Sequence, residues 1–140
     1  MDKKTVSRIL AFTNGAEVTR LGHEIEAKHP VVVLKRPQKM LTMLKVRESA
    51  QNSLFYAGEA LACECMVMIG GKRGFAATLG DDLEKVYAMA VIDAALNAGL
   101  PECGMILDTL GGWKRRIIEQ RAIEARLTMA TKVNFNVMEE

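Results

Sequence analysis

The sequence predicts an α+β fold in which helices pack against one face of an antiparallel sheet of about four to five strands. Three observations predict this class: helical spacing of apolar residues near both ends of the chain, β-branched and alternating segments around a glycine-rich turn in the middle, and an almost wholly apolar helical segment after them. The 140 residues are the usual size of one domain. No repeat, low-complexity tract or linker divides them, so we expect a single domain over residues 1–140.

Two short helices are expected at the N-terminus. Apolar residues recur there at spacings of three and four in two groups, which are Val6, Ile9 and Leu10, then Val18, Leu21 and Ile25. Asn14 and Gly15 interrupt the pattern between the groups, and Pro30 ends the second one. We therefore expect two helices that meet at a corner.

The predicted sheet lies between residues 31 and 79. Strands are expected at 31–34, which Pro37 closes, at 40–48, at 54–56 continued by 59–69, and at 75–79. Gly58 interrupts the third of these, which is typical of a bulge or a close backbone approach. Residues 70–74 have the composition of a tight hairpin turn, because their glycines adopt positive φ angles without strain.

A helix from about Asp82 to Asn97 is expected after the sheet. Asp81 can cap it, with Glu84 three residues later reaching back in a variant of the capping box. Gly99 ends it.

The remaining chain predicts a last helix and a closing strand. The helix should run from about Trp113 to Thr131, after a connecting segment that contains Gly111 and Gly112. Val133, Phe135 and Val137 then alternate with asparagines, which predicts a strand.

Composition and charge exclude several classes of function. The formal net charge of +2 is too small to steer nucleic acid. The N-terminus lacks the apolar core of a secretory signal, and no apolar run reaches the roughly 18 residues that a membrane span needs. A soluble, cytoplasmic protein is expected, in which the three cysteines are reduced thiols.

Cysteine and histidine residues offer a weak case for a metal. Cys63 and Cys65 point to the same face of a strand, but tetrahedral zinc needs four ligands, and His23 and His29 are distant in sequence. Buried thiols and surface histidines explain these residues without a metal, although a shared site with Cys103 stays open. We predict no metal site.

Two segments could contact phosphate or magnesium. Asp81 and Asp82 after Gly80 offer hard oxygen ligands, yet helix capping explains the same residues. Lys72 and Arg73 on the hairpin could hold phosphate through charge and backbone amides, but the segment lacks the order of a P-loop.

Asp93 falls on the apolar stripe of its helix, where an unpaired carboxylate would be costly. It must therefore have a partner, either a hydrogen bond within the fold or a contact at a subunit interface. The last helix has two apolar stripes separated by charged residues, one with Ile118 and Met129 and one with Trp113. One stripe can meet the sheet and the other a partner, or the helix can lie between two layers of the same domain.

Several ordered motifs resemble the PhnG family of bacterial phosphonate metabolism. They are Phe55-Tyr56-Ala57-Gly58-Glu59, then a strand and a glycine turn, Leu79-Gly80-Asp81-Asp82, Ala90-Val91-Ile92-Asp93-Ala94-Ala95, and Thr131-Lys132-Val133-Asn134-Phe135 with Met138. The resemblance implies a non-autonomous subunit of the carbon–phosphorus lyase core complex, with no established catalytic residue to transfer. Gly58, Asp93, Trp113, Ile118, Met129 and Phe135 are then candidates for organising the fold and its interfaces.

The resemblance also implies partners and a reaction. The family acts with PhnI, PhnH and PhnL subunits to replace the adenine of MgATP by alkylphosphonate, giving α-D-ribose 1-methylphosphonate 5-triphosphate. PhnJ, a further partner in the hetero-oligomer, carries out the later cleavage of the carbon–phosphorus bond. The complex uses MgATP, and this chain alone is expected to bind no cofactor and to be inactive. The alternative is an independent nucleotide- or phosphate-binding module or enzyme that uses the edge at Asp81 and Asp82.

Overall fold

The computed structural model describes the backbone of residues 1–47 and 54–139 and the side chains of residues 1–45 and 58–130. The elements, in order, are α1 (Lys3–Phe12), α2 (Gly15–Lys28), β1 (Val32–Arg47), β2 (Leu54–Ile69), β3 (Lys72–Leu79), α3 (Leu83–Ala98) and α4 (Cys103–Glu139). The strands form an antiparallel sheet in the order β1-β2-β3. The α+β class is confirmed, but the described residues contain three strands rather than four to five.

One predicted strand does not form separately because the chain does not leave the sheet at Pro37. The two strands predicted on either side of this residue are one continuous strand, β1, which lies at an edge of the sheet. Proline is tolerated on an edge strand because its missing N–H need not join a ladder. The pairing of β1 with β2 shifts register between Lys35 and Gln38, so the strand bends at Pro37 without ending.

The predicted C-terminal strand is wrong. Val133, Phe135 and Val137 lie in α4, which continues to Glu139. No glycine or proline lies between Trp113 and the end of the chain. Each added residue therefore extends the helix by one hydrogen bond, and a short alternating pattern does not overcome this cooperativity.

The start of α4 also differs from the prediction. The helix begins at Cys103 and passes through Gly111 and Gly112 without interruption. Ile106, Leu110 and Trp113 are buried at helical spacing in this segment. Their burial against the core offsets the roughly 1 kcal/mol that each glycine costs in a helix.

The two N-terminal helices form as predicted. Asp2 caps α1 by accepting a hydrogen bond from the Thr5 N–H, and Asn14 caps α2 by accepting one from the Ala16 N–H. Lys85 Nζ on α3 donates to the Ala11 carbonyl near the end of α1, at 2.7 Å. Two hydrogen bonds therefore stabilise the corner between the helices. Lys85 binds a carbonyl near the end of α1, and Asn14 caps the start of α2.

The hairpin between β2 and β3 is confirmed at Gly70 and Gly71, whose φ angles are 56° and 78°. The predicted irregularity at Gly58 is also present. Leu44 pairs with Gly58 and Lys45 with Tyr56, so the ladder shifts register there, and Gly58 has a φ of 153°. Such a bulge adds local twist to the ribbon.

Helix α3 is the centre of the core. The side chains of Val86, Ala90, Val91 and Ile92 are fully buried, since the helix packs against β2 and β3 on one side and α2 on the other. Its N-cap is Asp82, which accepts from the Lys85 N–H at 3.1 Å, and not Asp81 as predicted. Gly99 ends the helix in the left-handed conformation, as expected.

Candidate functional site

Asp93 on α3 is hydrogen-bonded within the fold. Its Oδ2 atom accepts from the backbone N–H of Phe75 on β3 at 3.0 Å. Asn97, one turn later, donates to the same oxygen and to the Arg73 carbonyl. The partner that the sequence required is therefore present within the fold, and this hydrogen bond attaches α3 to β3, while a contact of Asp93 at a subunit interface stays a prediction.

The cysteines lie in the protein interior. Cys63 and Cys65 are both fully buried on the face of β2 that meets α3. Burial raises the pKa of the Cys63 thiol, with the nearby Asp82 and Asp81 carboxylates adding to the effect, and burial raises the pKa of Cys65 to about 11. Both thiols are therefore poor nucleophiles and poor metal ligands near neutral pH.

The histidines are engaged separately. His23 lies 3.5 Å from Glu26 within α2, and His29 Nε2 lies 2.9 Å from Glu102 Oε2, which joins the end of α2 to the segment before α4. Within residues 1–45 and 58–130, no three acidic, histidine or cysteine side chains gather as a metal site would require.

The residues predicted to contact phosphate or metal do not converge. Asp82 is occupied as the N-cap of α3, and Asp81 is exposed beside it. Lys72 and Arg73 are exposed at the hairpin, at the opposite end of β3 from Leu79 and the two aspartates. A ligand role for these four residues stays a prediction.

A two-stranded arm extends from the sheet. Residues 62–69 of β2 pair with β3, whereas residues 54–61 pair with β1 and, beyond that ladder, the Leu61 carbonyl accepts a backbone hydrogen bond from the Gly80 N–H at 2.9 Å. On this arm Leu41 and Leu61 oppose each other across the ladder and are 68% and 42% exposed, and Met43 is exposed next to them. An isolated two-stranded ribbon is only marginally stable in water, and contiguous exposed apolar side chains are typical of surfaces that pack against another molecule.

Helix α4 is only partly covered by the rest of the fold. Its first half is anchored by Trp113, which is 8% exposed, but every residue from 118 to 130 is exposed. Ile118 and Met129, predicted as interface residues, are 56% and 63% exposed, as are Ile123 and Leu127 to similar degrees. The side chain of Phe135 lies outside the described residues.

A cleft of about 270 Å³ separates α1 from α4. Its lining residues are Thr5, Arg8, Ile9 and Phe12 from α1 and Lys114, Ile117, Ile118 and Arg121 from α4. The Arg121 guanidinium lies 4.7 Å from the centre of the exposed Phe12 ring, a cation–π distance. The sequence did not indicate this cleft, because only the packing of α1 on α4 brings Arg8, Phe12 and Arg121 together.

These features define an α+β protein whose buried thiols are unreactive and which exposes apolar side chains on two elements, the β1–β2 arm and helix α4. The chain matches the family model described as "Phosphonate metabolism protein PhnG" over residues 1–139. It therefore belongs to the PhnG family of phosphonate metabolism proteins. Among curated proteins, no sequence gives a significant match. None of the described helices, α4 included, combines the length and the apolarity that crossing a membrane requires.

Proposed function

We propose that this chain is a non-autonomous subunit of the carbon–phosphorus lyase core complex. In that role it assists a PhnI-type subunit in replacing the adenine of MgATP by alkylphosphonate, to form α-D-ribose 1-methylphosphonate 5-triphosphate. PhnH-, PhnJ- and PhnL-like subunits are its other partners. The chain itself contributes surface and positioning, and the MgATP is bound by the assembled complex in the cytoplasm.

The observation that supports the proposal most directly is the arm formed by β1 and β2. It presents Leu41, Met43 and Leu61 to solvent on the part of β1 and β2 that has no third strand beside it among the described residues. Burial of such side chains stabilises an association by roughly 25 cal/mol per Å² of apolar surface, before the costs of ordering are subtracted. An obligate subunit hides this surface in its partner, whereas an independent module has no use for it.

The alternative of an independent nucleotide-binding module is less well supported. Asp82 Oδ1 accepts a hydrogen bond from the Lys85 N–H. The other oxygen, Oδ2, lies close to Gly15, only 2.6 Å from where the Cβ atom of a larger residue would be at that position. Asp82 also lines an open depression of about 810 Å³, but within the described residues no three acidic, histidine or cysteine side chains gather there as a metal site would require.

Co-expression tests the proposal. A tagged chain is produced with the PhnH-, PhnI- and PhnJ-like proteins of its own genome, and the purified material is examined by native mass spectrometry. A stoichiometric complex is expected. A chain that purifies alone, folded and monodisperse, and that binds nucleotide and magnesium unaided would contradict the subunit role and favour the independent module.

A further inference from the structure

The cleft between α1 and α4 carries an uncompensated positive charge. Arg8, Lys114 and Arg121 have no carboxylate within ion-pair distance among the described residues. By contrast, Arg116 on helix α4 is paired, since it makes a two-pronged contact with Glu17 at 2.8 and 3.1 Å. Helix α4 therefore contains one neutralised arginine and, on the cleft side, two cations that lack a counter-charge, Lys114 and Arg121.

The walls between these cations are apolar. Phe12 and Ile118, which face the cleft, are 61% and 56% exposed, and Ile9 and Ile117 form its floor. A site for a small inorganic anion would gain nothing from this exposed apolar surface. A protein segment gains from both features, because apolar anchors fill the floor and carboxylates meet the rim.

Phe12 also joins the cleft to the sheet. It lines a second depression, of about 460 Å³, together with Met40 and Leu79. Met40 belongs to β1, the strand that carries Leu41 and Met43 into the arm. The exposed apolar surface is therefore continuous from α4 across the end of α1 to the sheet.

We propose that the α1–α4 cleft is the docking site for an amphipathic segment of a partner subunit that carries apolar anchors flanked by carboxylates. This inference rests on the proposed function, since the segment belongs to a subunit of the same complex. In this binding mode a helix or strand of the partner lies in the groove. Its apolar side chains contact Phe12 and Ile118, and its carboxylates contact the charged rim formed by Arg8, Lys114 and Arg121.

Charge reversal tests the rim. In the co-expressed complex, Arg8→Glu combined with Lys114→Glu should weaken assembly at least about tenfold, because like charges then meet across the interface. The control combines Lys28→Glu with Arg115→Glu, which makes the same change in net charge at exposed positions outside the cleft. Assembly is measured by native mass spectrometry over a protein dilution series at two salt concentrations.

The outcomes separate the two proposals. Equal assembly of the cleft variant and the control would overturn the docking site while leaving the subunit role intact. Failure of the wild-type chain to assemble would instead contradict the proposed function. If the cleft variant assembles normally and inorganic phosphate protects Lys114 of the wild-type complex from acetylation, the cleft is an anion site and the docking proposal is wrong.

Site-specific crosslinking identifies the occupant. A photoreactive phenylalanine analogue replaces Phe12 in the co-expressed complex, and the crosslinked peptides are sequenced. A crosslink to an acid-rich segment of a partner is expected. A crosslink to a second copy of this chain, or to a segment without carboxylates, would overturn the proposal.

Discussion

Asp93 Oδ2 on α3 and the backbone N–H of Phe75 on β3 are 3.0 Å apart, so a side chain in the middle of the central helix completes the hydrogen bonding of an edge strand. The outer edge of β3 has no neighbouring strand among the described residues. The carboxylate therefore takes the place of a strand at one position of that edge, and Asn97 extends the same contact to the Arg73 carbonyl.

Asp93→Ala should destabilise the fold by about 1–3 kcal/mol, because it removes a charged acceptor and leaves the Phe75 N–H without its partner. Asp93→Asn keeps an oxygen at the same place and should recover part of the loss. Chemical denaturation measures both variants. An Asp93→Ala chain with wild-type stability and wild-type assembly would exclude a structural or interface role.

Gly74 makes the closest approach between β3 and α3. A Cβ atom at this position would overlap the Ala90 carbonyl oxygen and the Ala94 nitrogen, which are backbone atoms of a buried helix. Gly74→Ala should therefore cost about 1–3 kcal/mol or prevent folding. Gly111→Ala is the matched control, since it faces open space in α4 and should stabilise the protein by up to about 1 kcal/mol. Similar unfolding free energies for the two variants would contradict the predicted packing.

Sequence reasoning succeeded where a local pattern coincides with a local structure. The Asn14 break, the Gly70-Gly71 turn and the Gly99 cap are each determined by a few neighbouring residues, and all three are present. Pro37 was misread as a strand end because tolerance of proline depends on lying at an edge, which the sheet order decides. The cleft could not be predicted for a related reason: Arg8 and Arg121 are far apart in sequence, and only tertiary packing brings them together.

Thiol reactivity should distinguish the three cysteines. Burial raises the pKa of Cys65 to about 11 and also raises that of Cys63, so little thiolate forms at either position at pH 8. Cys103 is only half-buried. In the native protein a maleimide should label Cys103 first, and the other two should react only after unfolding. Cys103→Ser should abolish the fast phase, and rapid labelling of Cys65 in the native state would contradict its burial.

The contact between His29 and Glu102 should add stability that depends on pH. The hydrogen bond from His29 holds the pKa of Glu102 below its usual value. A lowered carboxyl pKa contributes stability above the ordinary value of about 4.3, and that contribution is lost as the pH falls through the lowered value. Glu102→Gln should therefore lower the unfolding free energy at pH 6 and have less effect at acid pH. Glu119→Gln, at an exposed site on α4, should show no such dependence, and parallel pH profiles for the two variants would disprove the expectation.

The exposed leucines of the arm should govern the behaviour of the isolated chain. Leu41→Ser combined with Leu61→Ser removes a cross-strand apolar pair from the surface and should reduce self-association while changing the stability of the folded body by less than about 1 kcal/mol. The same variant should assemble less well with its partners. Analytical ultracentrifugation measures the first effect. Unchanged sedimentation together with unchanged assembly would show that the arm is not an interaction surface.

Helix α4 sets a length as well as a surface. Its 37 residues span roughly 55 Å at 1.5 Å per residue. A compact chain of this size has a radius of gyration of only about 14 Å. The length of the helix therefore determines how far its C-terminal end lies from the sheet. The helical repeat determines the direction in which each turn faces. Inserting seven residues after Thr131 would move that end by roughly 10 Å while nearly preserving the direction, whereas inserting five would also turn it to the opposite side.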